Sequence, residues 1–148
     1  MKQSILVTGG AGFIGSWLCK VLADSDRQII AFDDLSSGED RNLKNLNNVR
    51  LIKGDIRDHK DLSKIPWSDI SYCYHLAARG DVQESIEKPL LYTSVNIVGT
   101  HNILENCRVW NIPILFMSTC MVYGLNSNQN LNSDGINEEF PTLSISPY

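Results

Sequence analysis

Residues 8–15 read Thr-Gly-Gly-Ala-Gly-Phe-Ile-Gly, TGGAGFIG. Two overlapping glycine patterns fit: G-x-G-x-x-G at Gly10, Gly12 and Gly15, and G-x-x-G-x-x-G at Gly9, Gly12 and Gly15. Glycines alone carry little weight, but their setting carries more. The preceding Ser4–Thr8 (SILVT) reads as a strand. From Phe13 onward, apolar residues fall at Phe13, Ile14, Trp17, Leu18, Val21 and Leu22, one face of a helix. A tight strand-to-helix turn can demand φ > 0, and a Cβ would hold the backbone away from a pyrophosphate. The helix N-terminus offers unpaired N–H groups and a partial positive charge to that anion. A glycine-rich turn without a ligand is the alternative, and an independent signal argues against it. Asp33 closes a second strand, Gln28–Phe32 (QIIAF), 18 residues after Gly15. An acid about 20 residues on accepts hydrogen bonds from the adenine-side ribose hydroxyls, and its charge repels a 2′-phosphate, favouring NAD over NADP. Asp34 is the alternative ribose partner or a cap for the loop that follows.

The alternation continues along the chain. Val49–Lys53 (VRLIK) reads as a third strand, followed by Gly54 and Asp55. Asp55 suits either a position beside the adenine or a plain turn. Asp58 to Ile65 predicts a short helix with Asp58 as N-cap and Pro66 beyond it. Ile70–His75 (ISYCYH) is a fourth strand. Pro89 opens a helical pattern to about Trp110, with Leu91, Val95, Val98 and Leu104 on one side, and proline suits a first helical turn. Pro113–Ser118 (PILFMS) is a fifth strand. Near-continuous apolar strands alternating with helices indicate a parallel sheet covered on both faces. The expected fold class is therefore α/β, a Rossmann-type doubly wound parallel sheet ending after the fifth strand. Ser36–Asn48 is polar and rich in Asn, and Gly124–Ser144 is loop-like; a loop that long is usually functional or disordered.

Composition narrows the class further. The 148 residues make about one domain. A net charge of −4 and the lack of any Lys/Arg run argue against a nucleic-acid partner. No apolar run approaches the roughly 18 residues of a membrane span, and the N-terminal run Ile5–Val7 is too short for a signal peptide, so a cytoplasmic protein is expected. Cys19, Cys73, Cys107 and Cys120 include no C-x-x-C pair; they read as reduced core residues, and no metal is expected. His75 reads as a hydrogen-bonded strand-end histidine, His59 and His101 as solvent-facing, and Tyr123 as a packing residue.

Taken in order, several segments resemble one family. These are TGGAGFIGS (8–16), DDL (33–35), GDIRD (54–58), HLAA (75–78), NIVGT (96–100), STCMVYG (118–124) and SPY (146–148). Together they are similar to the extended short-chain dehydrogenase/reductases, the NAD-dependent nucleotide-sugar epimerases and dehydratases. The resemblance runs along the whole chain and implies an NAD-binding domain over residues 1–148. It places Gly9, Gly12, Phe13, Ile14 and Gly15 at the pyrophosphate, Asp33 at the ribose, and Asp55 and Ile56 at the adenine. Ala77 and Ala78 would line the cofactor path, and Asn96 would brace the active-site backbone from the long helix. Thr119 would hydrogen-bond the substrate hydroxyl and Tyr148 would be the catalytic base. Without the family, the same residues read as small packing residues, a polar helix residue and a strand-end cap.

In such enzymes the tyrosine opens Y-x-x-x-K, with the lysine one turn later on the same helix face. Its charge favours the tyrosinate, since a tyrosine of pKa ~10 is a poor base near neutrality. The chain stops at Tyr148, so it is expected to be an incomplete and inactive N-terminal portion, lacking the substrate-binding region and exposing apolar sheet surface. The resemblance implies a nucleotide-sugar substrate and a homodimer in the full-length form. The family's 4,6-dehydratases carry Asp-Glu just after the threonine, where this chain has Cys120 and Met121. A UDP-sugar 4-epimerase working through a 4-keto intermediate is the first reading. A dehydratase, a reductase or a catalytically silent NAD-binding protein are the alternatives. Arg79-Gly80 stand where some epimerases place Leu-Lys, and Asp81 is expected to put an acid near the ligand's phosphates.

Overall fold

The computed structural model describes residues 3–123, 136–144 and 146–148. Gly124, Ile145 and much of the loop-like stretch read over Gly124–Ser144 lie outside the described residues. Five strands, β1 (Ser4–Thr8), β2 (Ile29–Asp33), β3 (Val49–Lys53), β4 (Ile70–His75) and β5 (Ile114–Phe116), form one sheet in the order β3-β2-β1-β4-β5. Every pairing is parallel. This is the order of a doubly wound Rossmann-type sheet, which reverses direction between β1 and β4.

Strand periodicity divides the core into two layers. Leu6, Ile30, Phe32 and Cys73 point to one face and pack with Leu62, Ile103 and Cys107. Ile5, Val7, Ile29 and Ala31 point to the other face and pack with Cys19, Leu18 and Leu22 of α1 (Phe13–Leu22). Both faces of β1 and β2 are buried throughout, which accounts for their unbroken apolar runs. β5 is an edge strand, and Leu115 and Phe116 are exposed on it.

The helices differ from the expectations in four ways. In α1 the inward residues are Gly15, Leu18, Cys19 and Leu22, while Phe13, Ile14, Trp17 and Val21 are exposed. The sequence carries two apolar stripes there, and periodicity alone does not say which one faces the sheet. After β3 comes a single turn, α2 (His59–Leu62), shorter than read; the Asp58 side chain caps it by accepting the Lys60 N–H. A helix the sequence reading passed over, α3 (Val82–Glu87), follows β4, with the Asp81 carboxylate capping the Glu84 N–H at 2.8 Å. Asp-x-x-Glu over 81–84 is the signal that would have found it.

The long helix runs as α4 (Pro89–Tyr92), a wider π-type stretch over Thr93–Gly99, and α5 (Thr100–Val109). Tyr92, Gly99, Asn102, Ile103 and Cys107 are the inward residues, and Val98 and Leu104, expected on the packed side, are exposed. Gly99 lies where this helix crosses the chain after β3, and a Cβ there would push the Ile56 side chain aside.

His75 ties the two halves of the sheet to the long helix. Thr8 Oγ1 lies 2.6 Å from His75 Nδ1, and Thr100 Oγ1 lies 2.9 Å from Nε2. Thr8 Oγ1 already accepts the Leu76 and Ala77 N–H groups, so its own proton goes to Nδ1, and Nε2–H donates to Thr100. A neutral ring fits this arrangement and an imidazolium does not. Burial pushes the His75 pKa down to about 4. The unfolded chain takes up this proton near the ordinary value of 6.5, and the folded chain refuses it until about 4. The contribution to stability therefore falls as pH drops through that window, by up to about 3 kcal/mol. Urea unfolding between pH 7 and 4.5 should show this slope, and a His75→Gln variant should flatten it.

A candidate dinucleotide cleft

The turn from β1 into α1 is closed by contacts that leave no room for side chains. Gly9 has φ +69°, and its N–H donates to the Phe32 carbonyl at 2.8 Å. A Cβ on Gly9 would lie 2.8 Å from the Ala77 nitrogen, so the turn rests directly on the chain leaving β4. A Cβ on Gly15 would lie 2.0 Å from the Gly9 carbonyl oxygen. Gly12 is different: a Cβ there would meet only the Gly9 oxygen, at 3.3 Å. Internal packing therefore accounts for Gly9 and Gly15, while Gly12 keeps the backbone low on its open side. Gly10 is confined as well, since a Cβ there would lie 2.8 Å from the Ala31 Cβ and 3.0 Å from the Val7 carbonyl oxygen, so the outer members of both overlapping patterns have a steric reason. Gly12 is also the N-cap of α1 and provides no side-chain cap.

Asp33, at the tip of β2, locks this turn. Its Oδ2 accepts the Ala11 N–H at 2.9 Å and its Oδ1 accepts the Leu35 N–H at 2.8 Å. The Ala11 carbonyl accepts from Glu39 N and from Asn42 Nδ2. Gly38 lies so close to Ala11 that a Cβ would come within 2.7 Å of its carbonyl carbon. The polar stretch after β2 thus folds over the turn and holds it.

These elements border a cleft of about 420 Å³ at the C-terminal ends of the strands. That volume falls in the ordinary range for small-ligand sites. Gly9, Gly12, Phe13, Ile14 and Gly15 form one wall, Asp33, Asp55 and Ile56 another, and Ala77, Ala78 and Tyr148 a third. Asp55 also serves the turn: its carboxylate accepts the Arg57 N–H and pairs with the guanidinium, and Arg57 holds it below the usual carboxylate range. Ile56 is anchored behind the wall through its carbonyl, which accepts from Asn102 Nδ2 at 3.1 Å. The Tyr148 ring meets the buried Tyr92 ring edge-on at 6.4 Å, and its hydroxyl lies beside Gly80.

Two expected site residues stand off the cleft surface. Asn96 is in the π-type stretch, where its Oδ1 accepts the Arg79 N–H at 2.8 Å and its Nδ2 donates to the Arg79 carbonyl at 3.0 Å. Thr119 follows β5 and is not among the lining residues; its Oγ1 accepts the Met121 N–H at 3.2 Å. Asp81 is spent on capping α3 and does not line the cleft. Cys120 is exposed, unlike the buried Cys19, Cys73 and Cys107; burial raises the Cys19 thiol to about 12, which leaves it inert. Ser36, Ser37 and Arg79 line the cleft without having been singled out for it. The serines lie in a stretch with no periodicity, and only the fold brings them beside Asp33.

Residues 6–148 match the family described as GDP-mannose 4,6 dehydratase. The UDP-glucose 4-epimerase of Halalkalibacterium halodurans is 35% identical over 148 residues, covering 99% of this chain and 42% of that protein. The dTDP-D-glucose 4,6-dehydratase of Dictyostelium discoideum is 36% identical over 154 residues, covering 97% of this chain and 35% of that protein. A crystal structure of the Thermus thermophilus UDP-glucose 4-epimerase in complex with NAD superposes with a TM-score of 0.84 at 31% identity, covering 98% of this chain and 46% of that one. The chain spans less than half the length of the curated relatives it matches.

The two kinds of glycine make opposite demands on substitution. Gly15→Ala drives a methyl into the Gly9 carbonyl and should cost about 3 kcal/mol or more. Gly12→Ala should cost less than about 1 kcal/mol, the ordinary N-cap difference. Paired thermal melts of the two variants check this.

Proposed function

Because the chain belongs to the GDP-mannose 4,6 dehydratase family, we propose that it is the dinucleotide-binding domain of an NAD-dependent nucleotide-sugar epimerase acting at C4 of a UDP-linked sugar. One observation carries the reading. The open backbone at Gly12 lines the same cleft as Asp33 and Tyr148, which supports reading a diphosphate site, a ribose site and a base along one groove. Each Asp33 oxygen accepts one backbone N–H and keeps a lone pair for a ribose hydroxyl. The same carboxylate would repel a 2′-phosphate. The N–H groups at the start of α1, uncapped by any side chain at Gly12, suit the diphosphate. The exposed Phe13 and Ile14 offer their backbone there, and the small Ala77 and Ala78 leave room for the cofactor. Asp55 and Ile56 border the adenine end.

Bound NAD would supply an acceptor that takes a hydride and returns it. The protein does the rest. Tyr148 takes the proton of the sugar's 4-hydroxyl as the carbon becomes a ketone. Thr119, just behind the cleft-lining Ser118, accepts a backbone N–H and so keeps its own proton, with which it would orient that oxygen on a small shift toward the cleft. Asn96 fixes the backbone at Arg79 on the cleft wall. Once the keto sugar has turned over to present its other face, Tyr148 would return the proton to the sugar oxygen. Cys120 and Met121 offer no acid–base pair for removing water, which favours an epimerase. The comparable identity to a 4,6-dehydratase supports that reaction as the second reading. The free thiols suit a reducing, cytoplasmic compartment. Two copies would pair through Leu90, Ile97 and Leu104, the exposed apolar side chains of the long helix. The substrate is a nucleotide sugar; neither nucleic acid nor membrane is involved.

The natural gene product carrying this chain should interconvert UDP-glucose and UDP-galactose with no net NADH. A 4-keto-6-deoxy product read by NMR would replace the epimerase with a dehydratase, and intact sugar with bound NAD would leave a silent binder. For the chain as it stands, Gly12→Ala should weaken NAD by about 10-fold or more in calorimetry, since a methyl displaces the diphosphate from the amides. Sedimentation of Leu90→Glu/Ile97→Glu against wild type tests the pairing, and an unchanged mass would rule it out.

A further inference from the structure

The cleft has a lopsided charge. Asp33, Asp34 and Asp55 line one end. Among the described residues, Arg79 is the one cationic side chain on its wall, on the stretch between the part of the chain that touches Gly9 and the part that touches Tyr148. Asn96 holds the Arg79 backbone by both its N–H and its carbonyl, so the base of the side chain is fixed. The guanidinium is partly exposed, and Nη1 lies 3.8 Å from Glu84 Oε2. That is within range for charge attraction but too long for a hydrogen bond. Glu84 is occupied by better-placed donors: Oε2 accepts from the Tyr92 hydroxyl and Oε1 from Lys88, both at 3.0 Å.

A diphosphate brings two negative charges into this groove. The start of α1 offers only about half a positive charge against them, and Asp55 is the one lining carboxylate paired with a cation, Arg57. A guanidinium with an anchored backbone and unfilled donors is suited to a phosphate oxygen. We infer that Arg79 leaves Glu84 and hydrogen-bonds a diphosphate oxygen of the ligand in the cleft. The inference rests on the functional reading above and assigns that site its counter-charge. Two ligands carry the required group, the dinucleotide and the nucleotide sugar, and both take the same contact chemistry.

The test titrates wild type, Arg79→Gln and Arg79→Lys by calorimetry with NAD, UDP and adenosine, alongside thermal melts. Arg79→Gln should melt like wild type and bind NAD or UDP about 10-fold or more weakly, the usual size of a charge-assisted hydrogen bond. Arg79→Lys should fall between, keeping the charge without the fork. Adenosine, which has no phosphate, should bind all three alike. Loss confined to NAD assigns the contact to the dinucleotide, and loss confined to UDP assigns it to the sugar nucleotide. Unchanged affinity for both in Arg79→Gln, or an equal loss for adenosine, would overturn the inference and leave the functional reading intact. A wild-type chain that binds none of the three would overturn both.

Discussion

The turn between β1 and α1 closes because nothing stands between Gly15 and the Gly9 carbonyl, or between Gly9 and the chain leaving β4. A single methyl at either place would meet backbone atoms rather than a side chain that could move aside. The rest of the site hangs on this closure. It brings the first turn of α1 over the end of the sheet and sets Ala11 where Asp33 can hold it. It also leaves Gly12 facing outward with space above it. The residues that seal the turn and the residue that leaves it open are different glycines with different physical reasons.

A second set of contacts carries this geometry across the sheet. Thr8, at the end of β1, bonds His75 at the end of β4, and His75 bonds Thr100 on the long helix. From the same helix Asn96 grips Arg79, and Gly99 lets Ile56 press close. These contacts come from one stretch of the long helix, Asn96 and Gly99 in its π-type segment and Thr100 at the start of α5. Neutral His75 at the centre makes the arrangement sensitive to acid.

Much of this was legible from residue types. The five strands stand where their β-branched runs placed them, within a residue or two at most ends, because buried parallel strands have no polar alternation to obscure them. The glycines and Asp33 were legible because backbone clearance and carboxylate placement restrict the choice of residue. The helices were less so. Both stripes of α1 are apolar, so pattern could not choose between Leu18–Leu22 and Trp17–Val21 as the packed side. Val98 and Leu104 were misplaced because the long helix carries apolar residues on more than one side, so apolar positions alone did not mark the buried face.

The sequence by itself determined the strand–turn–helix unit and the strand alternation that makes a parallel sheet, since each depends on contacts only a few residues apart or on one residue's own steric limits. Tertiary structure decided which helix face is buried, that Asp81 caps a helix instead of lining the cleft, and that Arg79 stands on the cleft wall beside an already occupied Glu84. Those outcomes depend on which distant groups compete for the same donor, acceptor or surface, and that competition exists only once β1, β4 and the long helix are packed together.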